Sequence, residues 1–375
     1  MRRGAGLVAL SLAATLVAAC ATPRPGPGGV ADLAPEERPA DRSDEASLWL
    51  QADRLEEQLE ASPSVVRDPA LQAYVRGVVC RIAGPHCPRI RVYLIRDPEF
   101  NASMAPNGLM QSRTGLLLRL ANEAQLAHVL GHEIEHYLRR HSMQRWEDFQ
   151  AKAINLRAEV GSLAAFSRDQ EREADQLSSE LMVKSGYDPR EAPRAWERFM
   201  AEQAGRSTAP SNIFLATHPP TAERVTALRS YAEKTAGGAG EPRVGRDDYV
   251  AQLRAARRWM LRDELRRRQF ASSETLLRFL VEDGDGLGEL HFYEGELHRL
   301  RGALGDLTRS VAAYRRALEL PDAPPETQRS LGFVYARLED RAAARTALAR
   351  YLEDRPDAPD RALIESQITE LEAAR

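Results

Sequence analysis

The sequence predicts a mostly helical α+β fold: a small sheet in the first half and an all-α second half. Three observations predict it. Apolar residues recur at helical spacing through most of the chain after Glu45. Strand-like alternation is confined to 89–96, where Ile90, Val92 and Leu94 share one side, and to a short run at 109–113. Beyond a Gly/Pro-rich break at 235–247, the chain is rich in Ala, Leu and Arg and carries a repeating helical pattern.

Taken in order, Arg2 and Arg3 precede an apolar stretch, 4–19, that ends in small residues directly before Cys20. This is the anatomy of a secretory signal and resembles the bacterial lipobox, which implies a signal peptide over 1–19, lipidation of Cys20 and a lipid anchor in a membrane. A plain signal peptide cut nearby and an uncut anchor are the other readings. Residues 20–45 are rich in Pro, Gly and acidic side chains, a composition that buries no core and is expected to act as a flexible tether. An amphipathic helix follows at 46–59. Asp68-Pro69 reads as an N-cap with Pro at the first helical position, opening a helix through Cys80. Export to an oxidising compartment favours a disulfide between Cys80 and Cys87, two buried free thiols being the alternative. Asn122 with Gln125 three residues on has the capping-box pattern and starts a long helix at Glu123.

Helical sequence continues to Tyr231, so the first domain is expected at 46–234, a linker at 235–247 and a second domain at 248–375. In the second domain Leu331, Gly332, Tyr335, Ala344, Leu348, Tyr351 and Pro356 fall at tetratricopeptide spacing, with a fainter copy in Gly295, Tyr314, Ala317 and Pro321. A plain helical bundle is the alternative.

Composition narrows the function. The 375 residues are 43% hydrophobic and 29% charged, as in globular proteins, and suffice for two domains. A net charge of −3 without a basic block argues against nucleic acid as a partner. Three cysteines are too few for a disulfide-built scaffold, and the single long apolar run excludes a multispan membrane protein.

The chemistry centres on His132-Glu133-Ile134-Glu135-His136. Residues four apart share one face of a helix, so both imidazoles reach one ion, and Glu133 beside them is placed to take a proton from a water at that ion. His128 lies on the same face, but Val129 follows it, so that pair lacks a base and His128 is a supporting or core residue. Two histidines leave a catalytic zinc one protein ligand short. The acidic run 167–175 offers Glu171 and Glu173.

HExxH followed by Glu171-x-x-Ala174-Asp175 resembles the HtpX-like zinc metallopeptidase family, relatives of the CAAX prenyl endopeptidase. The resemblance implies a zincin-type domain with Zn2+ as cofactor, Glu171 as third ligand and Asp175 orienting a ligand imidazole, with Glu173 pointing elsewhere. Asn101, Pro106 and Gly108 are similar to the family's N-A-x-x-x-P-x-G stretch, which leads into the edge strand that binds substrate. Thr217, His218, Pro219 and Arg224 are similar to its T-H-P-x-x-x-x-R motif, which implies Arg224 as an oxyanion donor and His218 as a further donor that holds the site shut. These four motifs occur in the family's order. Together with the helical repeats they resemble the BepA-like periplasmic proteases of the bacterial outer membrane, although the lipobox departs from that pattern. His86, His141, His291 and His298 match no motif and read as surface residues.

The expectation is a zinc endopeptidase, lipid-anchored in the periplasm at the outer membrane, that hydrolyses unfolded or misassembled envelope proteins. The repeats would present substrates or engage outer-membrane assembly machinery. A second reading is a repeat-based chaperone or scaffold with a latent peptidase core. A structural zinc is disfavoured, because such sites use four protein ligands and need no base beside them.

Overall fold

Ser43 accepts a hydrogen bond from Ala46 N and opens α1, Asp44–Glu60. Asp68 accepts from Ala70 N and Leu71 N and, with Pro69 behind it, opens α2, Pro69–Ala83. A 3-10 turn, Gly84–Arg89, follows, and within this stretch Cys80 and Cys87 are joined through their sulfurs, with Cα atoms 4.7 Å apart. The computed structural model describes residues 33–34, 43–144, 166–204, 214, 217–235 and 241–373. Cys20, the signal segment 1–19 and most of the tether lie outside these residues.

The sheet has three strands, β1 (Arg91–Ile95), β2 (Ala102–Met104) and β3 (Leu109–Arg113), in the order β1-β3-β2. β1 runs parallel to β3, and β2 is the antiparallel edge, with Ser103 opposite Gln111. Val92 and Leu94 point into the core, as their alternation requires. After α3 (Thr114–Arg119), Asn122 accepts from Gln125 N and opens α4, Glu123–Leu138, which is buried along almost its whole length. On it pack α5 (Arg168–Lys184) and α6 (Glu191–Ala204), and α7 (Ala222–Thr235) packs on those two. Among the described residues no helix is long and apolar enough to cross a membrane.

Three helical hairpins follow: α8 (Arg246–Arg266) with α9 (Phe270–Asp283), α10 (Leu287–Arg301) with α11 (Asp306–Leu318), and α12 (Glu326–Arg337) with α13 (Arg341–Asp354). α14 (Arg361–Ala373) closes the row. Gly295 lets α10 and α11 touch, since a Cβ there would lie 2.4 Å from the Tyr314 ring. One apolar core runs from Leu71 through the zone of α4 to Ala347, so the two halves are packed against each other without a break. Arg119 is buried between Glu202 and Glu264 where they meet, and Tyr249 donates to Leu117 O.

Two expected loose segments are tied down. The linker at 235–247 is pinned where it is described: Arg243 N donates to Gly186 O, its guanidinium grips Glu123 at 2.8 Å, and helix α8 begins at Arg246. The cause is the start of α4, whose first N–H groups lack partners inside the helix, and Val244 O accepts from Ala124 N there. The tether is likewise held at Leu33, which is buried and whose N–H donates to Leu138 O, one of the unsatisfied carbonyls at the end of α4.

Candidate metal centre

α4 and α5 run antiparallel, close enough that a Cβ on Gly131 would meet Ser178 Oγ at 2.9 Å. That approach makes a ladder of pairs. Ser178 Oγ donates to His128 O, Asp175 Oδ1 lies 3.0 Å from His132 Nδ1, and Glu171 Oε1 lies 3.3 Å from His136 Nε2. Spacings of four on α4 and of four and three on α5 are what put these groups opposite one another.

His132 Nε2 and His136 Nε2 come within 3.1 Å, and His218 Nδ1 lies 3.3 Å from the first and 2.9 Å from Glu171 Oε1. One donor atom from each of His132, His136, Glu171 and His218 falls within 4.8 Å of the others, and all four residues are buried. Nitrogen and oxygen donors about 2.0–2.1 Å from a tetrahedral ion stand roughly 3.4 Å from each other, so this set fits such an ion. Charge argues the same way. Among the described residues the buried carboxyls of Glu133, Glu171 and Asp175 face one guanidinium, Arg224, and a divalent cation would balance the excess.

The electrostatics follow from this crowding. Burial pushes the Glu171 carboxyl up, but His132, His136 and His218 outweigh it and hold it far below the usual carboxylate range. Asp175 is also pushed up by burial and held down more strongly by Arg224 and His132. For His132 burial works downward, yet Asp175 and Glu171 raise the imidazole to about 9. Glu133, fully buried, is raised chiefly by desolvation. Its Oε1 lies 3.6 Å from His218 Nε2, so His218 stands between the base and the cluster.

Other residues named from the sequence take different places. Arg224, expected as an oxyanion donor, is engaged by two carboxylates. Its Nε and Nη2 donate to both oxygens of Asp175 at 2.6 and 2.8 Å, and its Nη1 pairs with Glu171, which makes it an anchor for the two carboxylates. Gly108 sits in a turn against Arg89 O, and Asn101 is buried with its carbonyl accepting from Arg113 N. Of that stretch Pro106 lines a narrow cleft with Met104, His136 and Leu33. His128 is a core residue that accepts from Trp196 Nε1.

His141 and His298 are buried, contrary to the surface reading. His141 Nδ1 lies 2.8 Å from His136 Nδ1, and its Nε2 lies 3.4 Å from Glu173 Oε2. Glu173, which does not join the cluster, therefore backs His141. Arg140, with φ of 52°, turns the chain at the end of α4 and folds His141 back under His136. Phe166 stacks on His136 at 3.9 Å, and the Arg224 guanidinium lies 4.7 Å over Trp196. None of these contacts had a local signal in the sequence.

Residues 66–158 and 146–232 match the model of peptidase family M48. The chain is similar to the beta-barrel assembly-enhancing protease of Escherichia coli, at 28% identity over 207 residues, 47% of this chain and 42% of that protein. It is also similar to the mitochondrial metalloendopeptidase OMA1 of Schizosaccharomyces pombe, at 30% identity over 179 residues, 42% of this chain and 52% of that protein. The matched stretch thus spans about half or less of each relative. The segment matched by the M48 model contains the whole donor cluster together with Glu133, Asp175 and Arg224, while the hairpins lie beyond it.

Proposed function

We propose that the chain is a zinc-dependent endopeptidase. The convergence of His132, His136, Glu171 and His218 beside buried Glu133 carries this reading. His132, His136 and Glu171 would hold the ion, and zinc when bound supplies a Lewis acid that polarises a carbonyl and acidifies a water. Glu133, poised upward by burial, takes the proton from the attacking water and returns it to the leaving amine. Asp175 orients His132, Arg224 holds Asp175 and Glu171 in place, and the open edge of β2 aligns an extended peptide by backbone hydrogen bonds.

His218 fills the fourth place and shuts the site. A His218→Ala protein is expected to cleave an unfolded reporter such as casein severalfold faster. Equal or slower cleavage would remove the gate. The same closure is what favours the second reading, a repeat-based chaperone or scaffold whose peptidase core is latent.

His141 positions His136, with the Glu173 carboxylate behind it at 3.4 Å favouring the charge on that ring. Replacing His141 by Ala should weaken zinc binding about 10–100-fold, the usual cost of losing such an outer partner. Competition with a chromophoric chelator measures this directly, and unchanged affinity would reduce His141 to packing.

The name of the bacterial relative supports substrates among misfolded or misassembled envelope proteins. In this reading Cys20 carries a lipid anchor, the protein sits in the periplasm at the outer membrane, and the hairpins are tetratricopeptide-like repeats that present substrates or engage assembly machinery. Metabolic labelling with a radioactive fatty acid, comparing the native chain with Cys20→Ala, tests the anchor.

A further inference from the structure

The hairpins carry a feature that the hydrolytic chemistry does not use. Arg258, Arg262 and Arg266 recur every four residues along α8 and so form one stripe, which borders a cavity of about 630 Å³ between α8, α10 and α12. Arg268 and Arg329 complete its basic rim. Phe292, Tyr293 and Leu300 supply an apolar wall.

The charge around this cavity is unbalanced. Its two carboxylates are already answered, Glu326 by Arg258 at 2.6 Å and Glu296 by Arg299 and the Tyr314 hydroxyl. Arg329 is paired with Asp360, and Arg266 meets only Asp263 within its own helix. Arg262 and Arg268 are exposed and face no carboxylate among the described residues. Clustered guanidiniums repel each other, and a carboxylate-bearing ligand relieves that while matching their forked donors. The volume lies within the range of ligand pockets, and its apolar wall calls for a side chain that no simple anion carries. A concave, walled cavity accepts an inserted chain segment better than a flat bilayer surface.

We propose that this cavity docks an acidic peptide segment of a partner or substrate protein, with its Asp and Glu side chains on Arg262, Arg266 and Arg268 and an aromatic or aliphatic side chain against Phe292 and Leu300. The inference rests on the hairpins being a partner surface, and it adds the chemical class of what they take. It does not depend on zinc hydrolysis, because its readout is binding.

The test is fluorescence anisotropy on the full chain in a Glu133→Gln background, which keeps the probe intact. The probe is a labelled peptide in which Asp-Glu pairs alternate with Phe. The native surface should bind it with an affinity that falls as salt rises. Arg262→Glu with Arg268→Glu should weaken binding roughly tenfold or more, and the pair of Gln substitutions should weaken it less. Zinc content and thermal unfolding should not change in either variant. A peptide of Lys-Arg pairs alternating with Phe should not bind. Binding of that basic peptide alone would overturn the acidic specificity and leave the hairpins a partner surface. Equal binding by native and charge-reversed proteins would overturn the site. Loss of binding to phosphatidylglycerol vesicles in the charge-reversed protein, with no acidic-peptide binding by the native one, would reassign the arginines to a membrane contact and overturn the proposal. No binding of any probe would overturn it and also withdraw support from the partner-surface reading.

Discussion

A Glu133→Gln protein is expected to keep its zinc and lose peptide hydrolysis by about 10²–10⁴-fold, the range that a positioned general base contributes. Glutamine preserves the volume of a residue that is buried and lies beside His218, so the donor cluster should survive. The split between retained metal and lost turnover is the informative part, because a folding defect would remove both. Measuring metal content and the cleavage rate on the same preparation, in a His218→Ala background that opens the site, separates them. Full activity in the Gln variant would take the base role away from Glu133.

Replacing Arg119 by Ala should cost about 3–5 kcal/mol of stability, the size expected when one partner of a buried ion pair is removed. Arg119 is 3% exposed and lies 2.8 Å from Glu202 and 2.7 Å from Glu264, with Pro98 O and Gly115 O accepting from Nη1. Ser272 and Ser273 donate to the same two carboxylates, and Arg267 adds a second cation on Glu264. Without Arg119 the Glu202 carboxylate is left buried with no cation beside it among the described residues. The network joins α3, α6, α8 and α9, so the N-terminal half and the first hairpin should unfold together and at lower denaturant. Arg119→Lys should fall between, because an ammonium cannot make the forked contact. Denaturant titration followed by circular dichroism measures the difference. A loss below about 1 kcal/mol would mean that water reaches these carboxylates in the native protein.

The parts of the site held within one helix were legible in the sequence. The pair His132 and His136 needs only the helical repeat, and Asn122 announced where that helix starts. β3 fell at 109–113 because a short strand beside turn residues is a local pattern. What escaped depends on tertiary folding. His141 looked like a surface residue, since nothing local says that Arg140 adopts a positive φ and turns it beneath His136. The resemblance offered Arg224 only as an oxyanion donor, and its bidentate partner, Asp175, was not legible because it comes from another helix. The segment around Arg243 reads as a linker by composition, yet the start of α4, whose first N–H groups lack partners within the helix, recruits it as a strap. Arg258, Arg262 and Arg266 are scattered among the other arginines of α8, and only their spacing of four gathers them on one face.

The account stands on one ion held between α4, α5 and the His218 loop. X-ray absorption at the zinc edge on the purified chain tests it most directly. One zinc per chain with three nitrogen donors and one oxygen donor is expected, and His218→Ala should replace one nitrogen by oxygen. A chain that binds no stoichiometric zinc, or whose zinc neighbours are unaltered by both His132→Ala and His218→Ala, would contradict it.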